Sequence, residues 1–329
     1  MAVIGILGAG TWGTALAKLL VQNGHDVTLW SAIPAELTAL QTTHRHPKLE
    51  GVVLPQALRF SDSLESVTSA AELLVFAVPS VYIRSVAAAA APFLNDDTIL
   101  VSVAKGIEAE TFLSMTDVIR DAIGQKTRPV VALSGPTHAE EVSIGLPTTI
   151  VSACEDLAAA ETVQRIFSNG FFRTYTNADA RGVELCGAMK NIIALAAGVS
   201  DGIGYGDNAK AALITRGMVE IARLGEAMGC DQRTFYGLAG VGDLIVTATS
   251  RHSRNNRAGY LLGAGYSAEE AVQKVGMVVE GLNALPAAIG LSQRYNVELP
   301  ITFGVNAIVH GADPKDIVNR LMNRAYKEE

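Results

Sequence analysis

Gly8-Ala9-Gly10-Thr11-Trp12-Gly13 stands between a short apolar run, Val3 to Leu7, and the helical pattern Thr14-Ala15-Leu16-Ala17-Lys18-Leu19-Leu20, which Asn23-Gly24 closes. Strand, glycine turn and helix in that order are the context in which G-x-G-x-x-G signals a dinucleotide site. Gly8 permits the tight turn, Gly10 lets a pyrophosphate approach the backbone, and Gly13 lets helix and strand pack closely. The unpaired N–H groups at the start of the helix then face the phosphates. The alternative is a glycine-rich turn that holds nothing, and the flanking elements argue against it.

The second strand, His25-Asp26-Val27-Thr28-Leu29-Trp30, leads into Ser31-Ala32-Ile33-Pro34. An acid at the tip of that strand would bind the ribose 2′-hydroxyl of NAD. None stands there: Asp26 opens the strand and Glu36 comes late. A missing carboxylate removes repulsion against a 2′-phosphate, although no arginine appears before Arg45. The balance favours NADP(H), or use of both coenzymes.

A chain of 329 residues accommodates two domains and a large core. The net charge of −7 argues against nucleic acid as a partner, which requires concentrated positive charge. It also means that an anionic substrate must be captured by a local cluster. Cys154, Cys186 and Cys230 lie far apart without C-x-x-C spacing, which predicts buried thiols in a reducing compartment. The N-terminus lacks the basic region of a signal peptide, and no uninterrupted apolar stretch is expected to approach membrane-spanning length. A soluble, cytoplasmic protein without membrane insertion is expected.

Strands are predicted at Leu73 to Val78, Thr98 to Val103, Val130 to Leu133 and Thr149 to Val151, separated by helices. That alternation implies an α/β fold of Rossmann type, with a doubly wound parallel sheet. Ligands bind such sheets beyond the carboxyl ends of the strands, where Pro79-Ser80, Lys105-Gly106 and Ser134-Gly135-Pro136-Thr137 fall. From residue 181 long helical patterns take over: Arg181 to Val199, Lys210 to Met228 with Gly229 closing it, Asn255 to Leu262, Val279 to Tyr295, Ile301 to His310, and Pro314 to Ala325 behind Asp313. The division is a dinucleotide-binding domain over residues 1–180 and an all-helical substrate and catalytic domain over 181–329. The active site is expected in the cleft between them.

Three segments outside the glycine loop carry chemistry. Lys190 sits in a helix of small and apolar residues, with Cys186 and Gly187 one turn back and Ile193 and Ala194 one turn ahead. Burial there lowers the pKa of a lysine toward the range useful for proton transfer, and small neighbours leave room for a ligand. The same position equally suits a lysine snorkelling from a core helix. Asp243, after the loop Gly237-Leu238-Ala239-Gly240-Val241-Gly242, is open to three roles: contact with a substrate hydroxyl, orientation of a lysine ammonium, or capping of a helix. Ser253-Arg254-Asn255 reads as an N-cap followed by Arg and Asn in a first helical turn. That makes either a phosphate site or a solvated cap. The six histidines show no metal-ligand spacing, so no metal is expected.

Taken in order, Gly8 to Ala17, Ala104-Lys105-Gly106-Ile107-Glu108, Ser134-Gly135-Pro136-Thr137, Lys190-Asn191, Ser200-Asp201-Gly202, Gly240-Val241-Gly242-Asp243-Leu244, Ser253-Arg254-Asn255 and Val278-Val279-Glu280-Gly281 closely resemble the NAD(P)-dependent glycerol-3-phosphate dehydrogenases of the bacterial type. The resemblance covers nearly the whole chain. It implies interconversion of sn-glycerol 3-phosphate and dihydroxyacetone phosphate with NADPH or NADH, a supply of glycerol backbone for phospholipids, and a small phosphorylated substrate; a homodimer is also expected. By the same resemblance Lys190 is the proton donor and acceptor. Lys105 and Asp243 contact the substrate's oxygens or position the lysine, and Asn191 lies at the substrate. Gly135 and Thr137 line the substrate site, and Ser253, Arg254 and Asn255 take its phosphate. Thr11, Trp12, Lys105, Ala139, Arg254, Val278 and Glu280 contact the coenzyme. Trp30-Ser31-Ala32 departs from relatives that carry basic or His residues there. Another two-domain 3-hydroxyacid or sugar-acid dehydrogenase shares the architecture, but Ser253-Arg254-Asn255 suits a phosphate monoester better than a carboxylate. A non-catalytic nicotinamide sensor would not need Lys105, Lys190 and Asp243 together.

Overall fold

A computed structural model describes residues 1–326. The chain forms two compact units: Met1–Lys105 with Leu113–Glu184, and Gly106–Phe112 with everything from Leu185 onward. The division thus falls a turn beyond residue 180, and residues 106–112 join the second unit.

The first unit holds one eight-stranded sheet: β1 (Val3–Leu7), β2 (Asp26–Trp30), β3 (Arg59–Ser61), β4 (Leu73–Phe76), β5 (Ile99–Ser102), β6 (Val130–Ser134), β7 (Thr148–Ala153) and β8 (Phe172–Asn177). Helices α1 (Thr11–Gln22), α2 (Pro34–Thr43), α3 (Leu64–Ala70), α4 (Ile83–Ala90), α5 (Met115–Ala122), α6 (Ala139–Ser143) and α7 (Leu157–Phe167) connect them. The strand order is β3-β2-β1-β4-β5-β6-β7-β8. β1 is flanked by β2 and β4, both parallel to it, so the strand order reverses there. In open α/β sheets that is where ligands bind. Strands buried on both faces explain why β1, β4 and β6 read as unbroken apolar runs in place of an alternation.

One pairing departs from the all-parallel expectation: β7 runs antiparallel to β6. The helix between them has five residues, Ala139–Ser143. β3 and β8 escaped the sequence reading because Arg59-Phe60-Ser61 is short and four of the six residues of Phe172–Asn177 are polar.

The second unit is helical: α8 (Ala180–Ile203, which begins in the first unit), α9 (Asp207–Ala227), α10 (Gln232–Phe235), α11 (Asp243–Thr249), α12 (Arg254–Gly263), α13 (Ala268–Val275), α14 (Glu280–Tyr295), α15 (Pro300–Val309) and α16 (Pro314–Met322). Its core gathers around Leu185, Met189, Ile192, Ile193 and Leu195 of α8. α8 is long and apolar enough to cross a membrane, which the sequence reading did not pick out, but its most apolar window lies wholly inside the protein. A Cβ on Gly198 would strike the Asn256 carbonyl, and one on Gly259 the Leu195 carbonyl. The small residues of α8 and α12 therefore serve a close helix crossing. Asp313 caps α16 through the amides of Lys315 and Asp316, with Pro314 first in the helix, as the sequence predicts. Cys154 and Cys186 are buried, Cys230 is half-buried, and no disulfide joins them. Burial pushes the Cys154 thiol up from its ordinary pKa.

Candidate active site

The glycine loop follows β1 at the point where the strand order reverses. Gly8 has φ of +123°, a conformation that excludes a side chain, and a Cβ there would approach the Ala77 carbonyl oxygen to 2.7 Å. Its N–H donates to the Trp30 carbonyl at 3.0 Å, tying the turn to the end of β2. Thr14 Oγ1 donates to the Ala9 carbonyl at 3.0 Å and holds the loop from the helix side. A Cβ on Gly13 would collide with the Gly8 carbonyl, so that glycine is required by packing. Gly10 differs: nothing lies within 4 Å of its virtual Cβ. It is the N-cap of α1 with no side chain capping the amides that follow. An open cradle at the positive end of a helix, between two glycines locked by their surroundings, fits the pyrophosphate of a dinucleotide. Thr11 and Trp12 form the first residues of that helix.

At the tip of β2 the strand itself bears no acid, but folding returns one. Glu36 lies in the first turn of α2, and its Oε2 accepts the Ser31 hydroxyl at 2.7 Å. Ser31 Oγ in turn accepts the Ile33 N–H at 3.1 Å. His46 is buried beside this corner, its ring against the Ala9 carbonyl and within the field of Glu36. Neither residue figured as a site residue in the sequence reading. The contact depends on α2 turning back after Pro34, which five intervening positions do not announce.

Beyond β5 and β6, Lys105 Nζ donates to the Gly135 carbonyl at 3.0 Å, and Thr137 Oγ1 donates to the same oxygen at 3.2 Å. Lys105, Gly135 and Thr137 thus converge, with Ala139 opening α6 just after them.

In the second unit Lys190 is buried in α8. Its Nζ donates to Asp243 Oδ1 at 2.6 Å and to Thr247 Oγ1 at 2.6 Å. Thr247 Oγ1 donates to the Asp243 carbonyl at 2.6 Å, closing a three-residue cluster. Of the roles open to Asp243, orientation of a lysine ammonium is therefore the one this geometry fits. It is not the N-cap of α11, a position that Gly242 occupies without a side-chain bond. Each ion offsets the other's desolvation, which is what makes a buried ammonium tolerable. Thr247 was missed because the sequence marks a glycine loop at 237–242 and a helix cap as one role of Asp243, but sets no bounds for a helix beyond it. Asp243 and Thr247 are one helical turn apart, and that spacing was the available signal.

Ser253 caps α12, accepting the Asn256 N–H at 3.2 Å, with Arg254 half-buried in the first turn. Asn255 is buried and turned inward: its Nδ2 donates to Asn191 Oδ1 at 2.9 Å, and its Oδ1 accepts the Gly281 N–H at 2.9 Å. The Asn191 amide donates to the Gly187 carbonyl at 3.1 Å. Asn191 and Asn255 together bolt α8, α12 and the start of α14, where Val278 and Glu280 flank the N-cap Val279.

A doubly wound sheet with a dinucleotide cradle, and a helical unit with a charge-paired buried lysine, define a dinucleotide-dependent oxidoreductase. The chain belongs to the NAD-dependent glycerol-3-phosphate dehydrogenase family: the family's N-terminal part matches residues 3–160 and its C-terminal part residues 179–319. It is 56% identical to "Glycerol-3-phosphate dehydrogenase [NAD(P)+] 2" of Lactobacillus delbrueckii subsp. bulgaricus over 334 residues, covering 100% of this chain and 99% of that one. It is 48% identical to the glycerol-3-phosphate dehydrogenase [NAD(P)+] of Agathobacter rectalis, covering 100% and 98%. The crystal structure of glycerol-3-phosphate dehydrogenase from Coxiella burnetii superposes with a TM-score of 0.94 at 36% identity, covering 98% of this chain and 99% of that one.

Proposed function

We propose that this protein reduces dihydroxyacetone phosphate to sn-glycerol 3-phosphate and catalyses the reverse oxidation, with NADH or NADPH as the reductant. The observation that carries the catalytic assignment is the buried cluster Lys190–Asp243–Thr247. A charged lysine held in an apolar helix by one carboxylate and one hydroxyl is poised to hand over a proton. When bound, the reduced coenzyme supplies the hydride for the carbonyl carbon. Lys190, as ammonium, gives its proton to the ketone oxygen as that oxygen becomes an alkoxide. Asp243 and Thr247 hold the ammonium in place, and positioning of this kind is most of the protein's contribution. Arg254 and the amino end of α12 take the substrate phosphate by charge-assisted hydrogen bonds, with Ser253 and Asn255 shaping that turn. Asn191 fixes it from α8. Lys105, Gly135 and Thr137 serve the remaining substrate oxygens. Gly8, Gly10, Thr11, Trp12, Gly13, Lys105, Ala139, Arg254, Val278 and Glu280 serve the coenzyme.

In this reading residues 1–180 bind the coenzyme and 181–329 carry proton transfer and phosphate recognition. The protein works as a cytoplasmic homodimer, and its product enters glycerophospholipid synthesis. The test is oxidation of reduced coenzyme with dihydroxyacetone phosphate, dihydroxyacetone and 3-oxoacids compared side by side. Preference for an oxoacid would replace the substrate assignment, and no turnover of any of them would remove the catalytic one.

A further inference from the structure

The geometry points to Glu36 as the residue that selects the coenzyme, making this protein NADH-preferring. The inference rests on the dinucleotide site described above and concerns one corner of it.

A dinucleotide lying across the glycine loop places its adenosine ribose at the carboxyl end of β2. That end is tied to the loop by the Gly8 N–H on the Trp30 carbonyl at 3.0 Å. The next residue, Ser31, is buried and orients the Glu36 side chain by donating to its Oε2 at 2.7 Å. Ser31 is itself fixed by the Ile33 amide at 3.1 Å. Oε2 is thereby occupied, and Oε1 is left to accept from a ribose hydroxyl. A carboxylate fixed in this way accepts hydrogen bonds from a 2′-hydroxyl and repels a 2′-phosphate.

Among the described residues no cation holds the Glu36 carboxylate in an ion pair, and the positive charges near it lie on exposed or differently paired residues. Ala32 and Ile33, the two residues beyond Ser31, are exposed and uncharged. Arg59 pairs with Asp26, at the opposite end of β2, at 2.5 Å and donates to Thr28 Oγ1, in the middle of the strand, at 3.3 Å. Arg45, between the C-cap of α2 and the buried His46, is exposed. Burial drives the His46 imidazole below its ordinary pKa, with the Glu36 charge only partly opposing this, so it contributes no standing positive charge at neutral pH. Lys48, whose charge acts on the same ring, is exposed, as is Arg45 before it.

Both tryptophans of the chain, Trp12 and Trp30, belong to this region, so intrinsic fluorescence reports coenzyme binding to the apoprotein without any turnover. Titration of the wild type with NADH and NADPH should give a Kd at least roughly 10-fold lower for NADH, as expected for hydrogen bonds to a charged group. Glu36→Gln should shrink that ratio at least about fivefold, by weakening NADH and by letting Lys48 attract the 2′-phosphate. Ser31→Ala, which releases the carboxylate without removing it, should shrink it less. NADPH binding as tightly as NADH to the wild type, or a ratio unmoved by Glu36→Gln, would overturn the assignment while leaving the dinucleotide site intact. Failure of both coenzymes to bind would overturn the site and the assignment together. If Glu36→Gln does not fold, the wild-type ratio and Ser31→Ala decide by the same criteria.

Discussion

Lys190 Nζ and Asp243 Oδ1, 53 residues apart in the chain, meet at 2.6 Å with side chains 6% and 1% exposed. An ion pair this deep stabilises little in itself, because desolvation consumes most of the attraction. Breaking it is another matter. With Thr247 as third member, the cluster orders the one ammonium to which proton transfer is assigned.

Lys190→Ala is expected to lower kcat by at least about two orders of magnitude, the contribution typical of a positioned acid. Coenzyme binding, measured by fluorescence titration, should survive. A near-normal kcat would take Lys190 out of the reaction.

Asp243→Asn leaves a buried ammonium without its counter-charge. The loss is on the order of 3–5 kcal/mol of folding stability, read by denaturant unfolding. Thr247→Val removes only a hydroxyl and should cost about 1–3 kcal/mol. Equal, small effects of the two would mean that the pair is solvated in solution.

The glycines of the first loop should separate fold from binding. Gly10→Ala meets open space, so its Tm should match the wild type while the Kd for NADH rises roughly 10-fold. Gly13→Ala forces a Cβ onto the Gly8 carbonyl and should destabilise by roughly 1–3 kcal/mol. Identical melting curves for the two variants would contradict this division.

Arg254→Ala should raise KM for dihydroxyacetone phosphate by roughly 10- to 100-fold, using about 1.4 kcal/mol per decade. Unphosphorylated dihydroxyacetone should lose much less. Parallel losses for both ketones would move the phosphate site away from α12, toward Lys105.

Glu184 supplies a pH dependence. Burial, the largest cause, raises its pKa above the ordinary 4.5, against hydrogen bonds from the Thr116 hydroxyl and N–H and from Ser114. The folded state therefore binds this proton more tightly than the unfolded state. The stability it contributes is complete below about 4.5 and is lost as pH rises through the raised value. Glu184→Gln, neutral at every pH, should melt roughly 2–4 °C above the wild type at about pH 8, with the gap closing toward about pH 5. A gap that widens on acidification would reverse the assignment.

The first strand, its glycine loop, the helix that follows and the caps of α12 and α16 were legible in the sequence because each depends on neighbours a few positions away. Gly8 needs its φ, Ser253 needs the amide three residues on, and Asp313 needs those of Lys315 and Asp316. The motif order also carried the family. What no local pattern contains is who meets whom across the chain. Thr247 joins Lys190 only because α8 and α11 pack together. Asn255 points inward because glycines on α8 and α12 let two backbones approach. Glu36, dismissed by its place in the sequence, reaches the tip of β2 because α2 turns back on Ser31. β7 runs against β6, a direction that no local pattern announces. Local backbone preferences act over one or two turns and are written in the sequence. Contacts between distant segments depend on how whole elements pack, and only the tertiary structure decides those.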